Sequence, residues 1–395
     1  MLKKNLKSKA FIYIGGSYPQ IQGIKAIKKA DIFVILIDKN KYVPCSEFAD
    51  IHLKIDATET DKIINGLKSY TKSLEILGFY GIGDYANKSI TKLNKFFKIN
   101  YNRNETLNNF SNKIICHKLW AKKNRLKPTL LWSGKKSNNQ SFFKNIPKKY
   151  KKIIIKPAES FDSKGINICN VQDLVSINQA INTAFQISNE VLIEEFIEGE
   201  LVNIDGVIIK NSVYFLSLIR RGEKNINQNL KYKYGIGFLN LSEKSQKHVK
   251  LLSSALMQDL GYENGPFTID AILKDECFYP IDASPHLHAV KFYENCKSHP
   301  LTIWINYLKS NKKVDLGFYK RKIGYCAVIT TNNNRFKNPI NVKKIIDEKY
   351  IIDSYKNTNL DPRNSNLKSL NLIFWYKFLS DKFLSKILKK ITEIF

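Results

Sequence analysis

The sequence predicts a multidomain protein of mixed α/β and α+β class. It places a doubly wound, parallel sheet at the N-terminus, then a more antiparallel region of paired strands and helices, and a basic helical tail at the C-terminus. Three observations predict this order. Apolar strands alternate with helical spacing over residues 10–81, strands recur at hairpin-like spacing from residue 152 onward, and residues 367–395 are aromatic and basic. A chain of 395 residues suggests two or three packed domains.

Four apolar runs carry the prediction of a parallel sheet. They are residues 10–14, 32–38, 51–56 and 77–81, with helical spacing at residues 20–29 and 59–69. Strands that are buried on both faces read as continuous apolar runs, which is typical of parallel sheets covered by helices.

A glycine turn follows the first of these runs. The N-terminal region resembles a Rossmann-like nucleotide-binding domain, but Gly15-Gly16-Ser17 lacks the GxGxxG spacing of dinucleotide sites. We interpret it as a tight strand-to-helix turn that requires glycine and could contact a small substrate at the carboxyl edge of the sheet. Dinucleotide binding is the less favoured alternative.

The second half of the chain is predicted to contain shorter, paired elements. A helix is expected over residues 112–126, and residues 133–150 are expected to form a loop with a weak helix. The predicted strands are residues 191–195, 203–209, 213–219, 267–273 and 277–282.

The tail is expected to form an amphipathic helix within residues 367–395. Its apolar residues fall on one helical face: Leu379, Phe383, Ile387, Ile391 and Ile394. Such a helix can dock on its own protein or on a second subunit of a homo-oligomer, which we favour, or lie peripherally on an anionic membrane.

Composition excludes several classes of protein. The net charge of +29 is spread along the whole chain, which indicates a compositional bias, and no specific nucleic-acid partner is expected. Six cysteines without CxxC spacing argue against a disulfide framework or zinc site and fit a reducing cytoplasm. No signal-peptide core or bilayer-spanning stretch is present, so we expect a cytoplasmic protein.

A lysine followed by a small polar loop is the most informative motif. Residues 153–155 are isoleucines, Lys156 ends this strand pattern, and the loop closes on Gly165. An ammonium beside a loop of backbone N–H groups can hold polyphosphate. Lys113, at the start of a predicted helix, could clamp the same nucleotide. Taken singly, either lysine could instead be an ordinary surface residue.

An acidic turn follows the strand at residues 191–195. Exposed backbone at such an exit can pair with an adenine edge, and a carboxylate such as Glu200 can accept hydrogen bonds from ribose hydroxyls. The alternative is a solvated acidic turn.

Two aspartates lie in consecutive strand patterns. Asp270 and Asp282 each interrupt an apolar run, and a buried carboxylate needs a partner, for which a cation is the natural candidate. Oxygen ligands suit Mg²⁺, and Ser284 could add a further oxygen. His286 and His288 continue the alternation, which makes a His/His/Asp transition-metal site an alternative. We favour it less than the magnesium site.

Together these residues resemble the ATP-grasp superfamily, and most closely its carbamoyl-phosphate-synthase-like and biotin-carboxylase-like carboxylate–amine ligases. The resemblance covers residues 10–330. It implies a Rossmann-like pre-ATP-grasp domain at 1–108, a small lobe with the phosphate loop at 109–188, a large lobe with the metal site at 189–335, and a C-terminal extension at 336–395. The nucleotide contacts that it implies are Lys113, Lys156, Ser163, Gly165, Glu194, Glu195, Ile197 and Glu200.

The resemblance also implies an activity. It indicates a ligase that uses ATP and Mg²⁺, or Mn²⁺, to join a small-molecule carboxylate to an amine through an acyl phosphate. Asp270, Asp282 and Ser284 take the metal positions, and the implied catalytic residues are His286, Lys164 and Arg221. Arg220 or Arg221 could bind a substrate carboxylate, although a surface salt bridge is an equal alternative.

The last motif departs from the family pattern. The family has Glu-x-Asn-Pro-Arg where this chain has Asp282-Ala283-Ser284-Pro285-His286. Aspartate is shorter than glutamate, and His286 replaces a permanent cation only if its imidazole is protonated. A degenerate protein that binds nucleotide with little turnover, in a structural or regulatory role, is therefore the alternative function.

Overall fold

The structure is a computed structural model of the chain. It describes residues 7–17, 20–83, 86–103, 106–136, 147, 149–160, 164–227, 230–237, 241–288, 293, 299–318, 325–331, 351–357 and 369–374. Among the helices that lie in these ranges, none is long and apolar enough to cross a membrane.

The N-terminal sheet has four parallel strands in the order β3-β2-β1-β4. All four predicted strands and their parallel direction are confirmed. The strands are β1 (Ser8–Ile14), β2 (Phe33–Ile37), β3 (Ile51–Leu53) and β4 (Leu74–Gly81). The helices of this part are α1 (Ile21–Lys28), α2 (Thr60–Lys68) and α3 (Asn87–Phe96). Apolar side chains at helical spacing bury one face of each helix against the sheet.

The turn after β1 requires glycine for two separate reasons. Gly15 has a φ of 93°, and a Cβ on Gly16 would lie 2.4 Å from Val43 Cγ2. The Gly16 N–H donates to Asp38 Oδ2 at 2.8 Å, so the acid at the end of β2 binds the turn itself. This geometry supports the interpretation of a tight strand-to-helix turn.

A small antiparallel sheet follows, in the order β5-β8-β6-β7. Its strands are β5 (Leu130–Lys135), β6 (Lys152–Pro157), β7 (Asn167–Asn170) and β8 (Glu190–Glu195), and its helices are α4 (Lys113–Ala121) and α5 (Leu174–Phe185). Helix α4 is shorter than the predicted helix, and β5 extends into the predicted loop, where pairing with β8 outweighs local polarity. Strand β8 lies beyond the boundary predicted at residue 188 but pairs within this sheet.

The large sheet has the order β13-β12-β9-β10-β11-β15-β17-β16, with β14 beside β10. Its strands are β9 (Glu200–Ile209), β10 (Ser212–Asn227), β11 (Leu230–Gly237), β12 (Gly265–Lys274), β13 (Cys277–Ser284), β14 (Gly317–Phe318), β15 (Tyr325–Thr331), β16 (Ile351–Asn357) and β17 (Ser369–Phe374). The helices are α6 (Glu243–Asp259) and α7 (Pro300–Ser310). The predicted pairing of the two aspartate-bearing strands is confirmed, since β12 and β13 form an antiparallel hairpin.

The start of the tail differs from the prediction. Residues 369–374 form β17, which pairs with β15 and β16, so a helix over these six residues is wrong. The alternation of polar and apolar residues over Ser369–Leu372 fits a strand once neighbouring strands supply backbone partners. The predicted helical face from Leu379 to Ile394 lies outside the described residues.

One continuous core joins the N-terminal and large sheets. Ile12 and Phe79 from the first pack in the same cluster as Ile204 and Phe267 from the second, together with Trp120 of α4. The indole N–H of Trp120 donates to the Leu256 carbonyl of α6 at 3.2 Å. These contacts hold α4 against the large sheet, so the N-terminus of α4 faces the β12–β13 hairpin.

Candidate functional site

Lys113 connects the small sheet to the large one. It is the first residue of α4, whose N-cap Asn112 accepts the Ile114 N–H at 2.9 Å. The Lys113 side chain is buried; its Nζ donates to the Ser160 carbonyl at 2.9 Å and lies 3.2 Å from Asp282 Oδ2. An ammonium from the small sheet therefore neutralises one carboxylate of the predicted metal pair.

Lys156 is buried beside a fully buried carboxylate. Its Nζ lies 2.5 Å from Glu194 Oε2, across the pairing of β6 with β8. The other oxygen of Glu194 contacts Nε2 of His117, which is buried on α4. Burial alone would raise the pKa of Glu194, but the attraction of Lys156 and the contact with His117 outweigh it and lower the pKa to about 2. Glu194 is therefore ionised at any ordinary pH.

The two predicted metal ligands face each other across the hairpin. Asp270 and Asp282 are direct partners in the antiparallel register, and Asp270 Oδ1 accepts from Asn203 Nδ2 on β9. Burial raises the pKa of Asp270 to about 6, Arg221 on β10 opposes this shift, and Asp282 adds to it by repulsion. Two nearby carboxylates, one with a raised pKa, are a charge distribution that a divalent cation would stabilise.

Ser284 at the end of β13 and His286 just beyond it agree only in part with the expectation. Ser284 lies opposite Thr268 in the register, at the same end of the hairpin as the aspartates. His286 is buried, and burial lowers its pKa to about 4, against the smaller opposing effects of the Leu287 hydrogen bond and of Asp282. The imidazole is neutral near pH 7, so the predicted cationic role of His286 does not fit this geometry.

The acidic turn contains a backbone N–H that no described residue hydrogen-bonds. The Thr129 N–H donates to Glu195 Oε1 at 3.1 Å, and the Phe196 N–H donates to the Lys152 carbonyl at 3.3 Å. No described residue hydrogen-bonds the backbone N–H of Ile197, which is half-buried. Glu200 pairs with Arg220 Nη2 at 2.7 Å, so Arg220 forms the salt bridge that was the alternative to substrate binding.

The polyphosphate loop is described only at its ends. Ser163 lies outside the described residues, Lys164 is exposed, and Gly165 has a φ of +73°. A Cβ at Gly165 would lie 2.5 Å from Ile187 Cδ1 and 2.9 Å from Pro157 Cγ. The loop therefore closes on a position that suits glycine in both conformation and space.

Sequence reasoning missed several polar residues at the site. His117 lies four residues after Lys113 on α4, and this spacing alone could have placed it on the same helical face. Asn203 and Asp205 alternate on β9 and lie opposite Asp270 and Thr268 of β12. Asp205 is fully buried and accepts from the hydroxyls of Thr268 and Tyr293. The period of two on β9 was the available signal for this pair.

Residues 112–290 match the family model of the ATP-grasp domain. The match begins at the cap of α4 and ends just beyond His288, so it contains every described residue of the site. The chain contains an ATP-grasp domain. The recognition made from the lysine, the loop, the acidic turn and the paired aspartates is thereby confirmed.

Comparisons with individual proteins agree with this assignment. Over 80 residues the chain is 35% identical to a D-alanine–D-alanine ligase of Wigglesworthia glossinidia brevipalpis, a match that covers 18% of this chain and only 22% of that relative's length. An L-amino acid ligase from Bacillus licheniformis superposes with a TM-score of 0.70 at 12% identity, over 98% of each chain. The ADP complex of N5-carboxyaminoimidazole synthetase from Staphylococcus aureus gives a TM-score of 0.68 at 13% identity, again over 98% of each chain. At these identities the structures establish a shared fold.

The residues of the ATP-grasp domain fit a phosphorylated ligand and a cation. Ser160 Oγ and Arg220 Nε are buried polar atoms without a hydrogen-bond partner among the described residues, which leaves donors available for a polar ligand. Within the same ranges, no group of three or more His, Cys, Asp or Glu side chains is arranged to hold a metal ion. The predicted metal set instead contains two carboxylates and one hydroxyl, the oxygen-only donors that Mg²⁺ prefers.

Proposed function

We propose that the protein is an ATP- and Mg²⁺-dependent carboxylate–amine ligase that forms an amide or peptide-like bond through an acyl phosphate. The observation that carries this proposal is the convergence of two buried lysines, Lys113 and Lys156, on the carboxylates Asp282 and Glu194 inside the ATP-grasp domain. Burying two ammonium groups is costly unless they have partners. Lys113 has its partner on the large sheet, and Lys156 has its partner on the small sheet.

Each part of the nucleotide has a candidate contact. Lys113 and Lys156 would bind phosphate oxygens, and the loop from Ser160 to Gly165 would cover them with backbone N–H groups. The unbonded N–H of Ile197 would pair with the adenine edge, next to Glu195. Glu200 would accept from ribose hydroxyls, because its carboxylate has acceptor capacity beyond the bond to Arg220.

Asp270, Asp282 and Ser284 would hold Mg²⁺ or Mn²⁺. Such an ion neutralises charge on the phosphate oxygens during phosphoryl transfer. Lys113 already lies 3.2 Å from Asp282, so that carboxylate would exchange the lysine for the cation when phosphates draw the ammonium away. Nucleotide and metal should therefore bind with positive coupling.

The reaction would proceed in two balanced steps. A carboxylate oxygen of the acid attacks the γ-phosphorus, the bond to the β-phosphate oxygen breaks, and ADP leaves. The amine nitrogen then attacks the acyl carbon, inorganic phosphate leaves, and the nitrogen loses a proton. Arg221, whose charge already opposes the raised pKa of Asp270, would orient the acid or its acyl phosphate. Lys164 would approach the phosphates when the loop closes.

The test is release of ADP and phosphate from ATP with a panel of amino and hydroxy acids as acid and amine. We expect turnover with at least one pair, and loss of it in Lys156→Ala. Lys152→Ala is the matched control, because Lys152 lies on the same strand with its side chain 53% exposed and should be dispensable. Turnover that survives in Lys156→Ala would refute the proposal.

A second candidate function has a specific observation in its favour. His286 occupies the position of the family's arginine but is buried and neutral, so this position supplies no positive charge. A protein that binds nucleotide with little turnover follows if nothing replaces that charge. Calorimetric binding of ATP without ADP release for any pair in the panel would identify this alternative.

The predictions on partners and location remain proposals. The sequence alone supports three of them: docking of the tail on the protein or on a second copy, peripheral contact with a membrane, and residence in the cytoplasm. Cys45, Cys116, Cys169 and Cys277 are free thiols.

A further inference from the structure

We infer that His117 is a positioning residue for nucleotide binding, which holds Glu194 so that Glu194 in turn presents Lys156 to the phosphates. The inference rests on the proposed function, because it assigns a role within the same nucleotide site. His117 touches no predicted substrate atom, and its effect is transmitted through two side chains.

The three side chains come from three different elements. His117 lies on α4, Glu194 on β8 and Lys156 on β6, and each is almost completely buried. One carboxylate oxygen of Glu194 contacts His117 Nε2, and the other lies 2.5 Å from Lys156 Nζ. The carboxylate is therefore held at both ends by nitrogen atoms.

The hydrogen-bonding capacity of the three side chains determines which group donates and which accepts. His117 Nε2 lies against Glu194 Oε1. Because an ionised carboxylate only accepts, an N–H at His117 Nε2 is the donor that this contact requires. An ammonium has three N–H donors; Glu194 uses one, and the remaining donors of Lys156 are available to phosphate oxygens. Glu194 also supplies the opposite charge beside the buried side chain of Lys156.

Removing the imidazole would release one end of the carboxylate. Glu194 could then rotate about its terminal torsion, which is broad and soft for Glu, and Lys156 would follow it. The ammonium would no longer be fixed before the nucleotide arrives, and the cost of ordering it would appear as weaker binding. A histidine that only filled space beside Trp120 would change stability but not the affinity for phosphates.

The experiment is calorimetric titration of the full-length protein with ADP and Mg²⁺. We expect His117→Leu to weaken ADP binding about tenfold, which corresponds to ~1.4 kcal/mol. His117→Gln should restore most of the affinity, because its amide nitrogen reaches the position of Nε2. His117→Asn should bind as weakly as His117→Leu, since its shorter amide does not reach Glu194.

Trp120→Phe is the matched control. Trp120 is buried on the same helix, and phenylalanine lacks both the N–H that donates to Leu256 and part of the buried ring. This variant should therefore lose stability and retain wild-type ADP affinity. If His117→Leu does not fold, the comparison of the Gln and Asn variants decides the question alone.

A double-mutant cycle supplies the decisive readout. In the Lys156→Ala background, His117→Leu should cause less than a twofold further change, because coupled residues are not additive. Independent, additive losses would overturn the inference, as would wild-type affinity in His117→Leu or equal affinities of the Gln and Asn variants. Failure of the wild-type protein to bind ADP would refute the proposed nucleotide site itself, and would be seen before any variant is tested.

Discussion

At the scale of single residues, the site is built from carboxylates that have been removed from water. Glu194 is fully buried and ionised because Lys156 and His117 lie against its two oxygens. The pKa of Asp270 shifts in the opposite direction, since burial and the repulsion of Asp282 favour its protonated form. We therefore expect Glu194 to stay paired with Lys156, and Asp270 to bind a cation.

Replacing Glu194 should destabilise the whole protein. Glu194→Ala leaves the buried ammonium of Lys156 without its partner, and the loss of one member of such a pair costs about 3–5 kcal/mol. Urea denaturation measures the change, and Glu198→Ala in the same segment should stay within about 0.5 kcal/mol because its side chain is 84% exposed. A loss for Glu194→Ala no larger than that of the control would contradict the buried pair.

The lowered pKa of Glu194 also predicts a pH window. A carboxylate whose folded pKa lies below its unfolded value stabilises the protein above the unfolded pKa, which is 4.5 for this group, and loses that contribution as the pH falls toward 2. The stability of the wild type should therefore fall steeply with acid between these values. Glu194→Gln should show a shallower slope over the same range.

Asp270 should make metal-dependent activity sensitive to acid. Its pKa is raised to about 6, so below that pH the carboxyl is protonated and cannot bind a cation. We expect turnover to fall as the pH drops through 6, and added Mg²⁺ to move the midpoint downward by competing with the proton. A profile that is flat from pH 5 to pH 8 would remove Asp270 from the metal site.

At the scale of elements, the spacing of residues along one helix and the register of one hairpin bring the charged side chains of the site together. Helix α4 carries Lys113 and His117 one turn apart, so a single helical face reaches both Asp282 and Glu194. The β12–β13 hairpin sets its two aspartates directly opposite each other in the antiparallel register. The loop after β6 depends on Gly165, where the chain needs both a positive φ and close approach to Pro157.

A pair of glycine variants separates these two requirements. Gly165→Ala and Gly317→Ala both place a side chain at positive φ, at +73° and +61°, which costs about 1–2 kcal/mol. Only Gly165→Ala meets neighbours, whereas nothing lies within 4 Å of a Cβ at Gly317. Gly165→Ala should therefore lose more stability and also weaken ATP binding. Equal losses, with unchanged ATP affinity, would show that the loop closure does not depend on this contact.

At the scale of the whole molecule, the site depends on how three sheets are held together. Asn102 follows the N-terminal sheet and connects it to the segment before β12; its side chain accepts the Glu263 and Asn264 N–H groups at 2.7 and 2.8 Å and donates to the Asn264 carbonyl at 2.7 Å. The cores of the N-terminal and large sheets are continuous around this connection. The Leu287 N–H donates to the Tyr80 hydroxyl at 3.2 Å, so the carboxyl end of β4 lies against the segment that follows β13.

Asn102→Ala should loosen this connection. Each backbone group left without a partner costs about 1–3 kcal/mol when it stays buried, and three groups are affected here. We expect a lower thermal midpoint, with Asn178→Ala as the control because that side chain donates only within α5. Thermal midpoints that fall equally in the two variants would mean that Asn102 holds no domain contact.

Much of the architecture could be predicted from the sequence because it is encoded locally. The pattern of apolar residues along the chain is enough to predict the strands of the N-terminal sheet and the strands β12 and β13. The lysine and its loop are contiguous, and so the family was recognisable. Strand β5 was mistaken because its polar end is typical of a loop, and β17 was mistaken because its apolar residues also fit a helix. Both form strands because a neighbouring strand supplies hydrogen bonds.

The sequence by itself determined which elements exist, in what order, and which residue types could hold a phosphate or a cation. Only the tertiary structure decided their partners: Lys156 with Glu194 and His117, Lys113 with Asp282, and Asp270 with Asn203. It also made His286 neutral, which no local pattern could reveal. The physical reason is that periodicity is a property of neighbours along the chain, whereas burial, charge state and pairing depend on groups that folding brings from elsewhere.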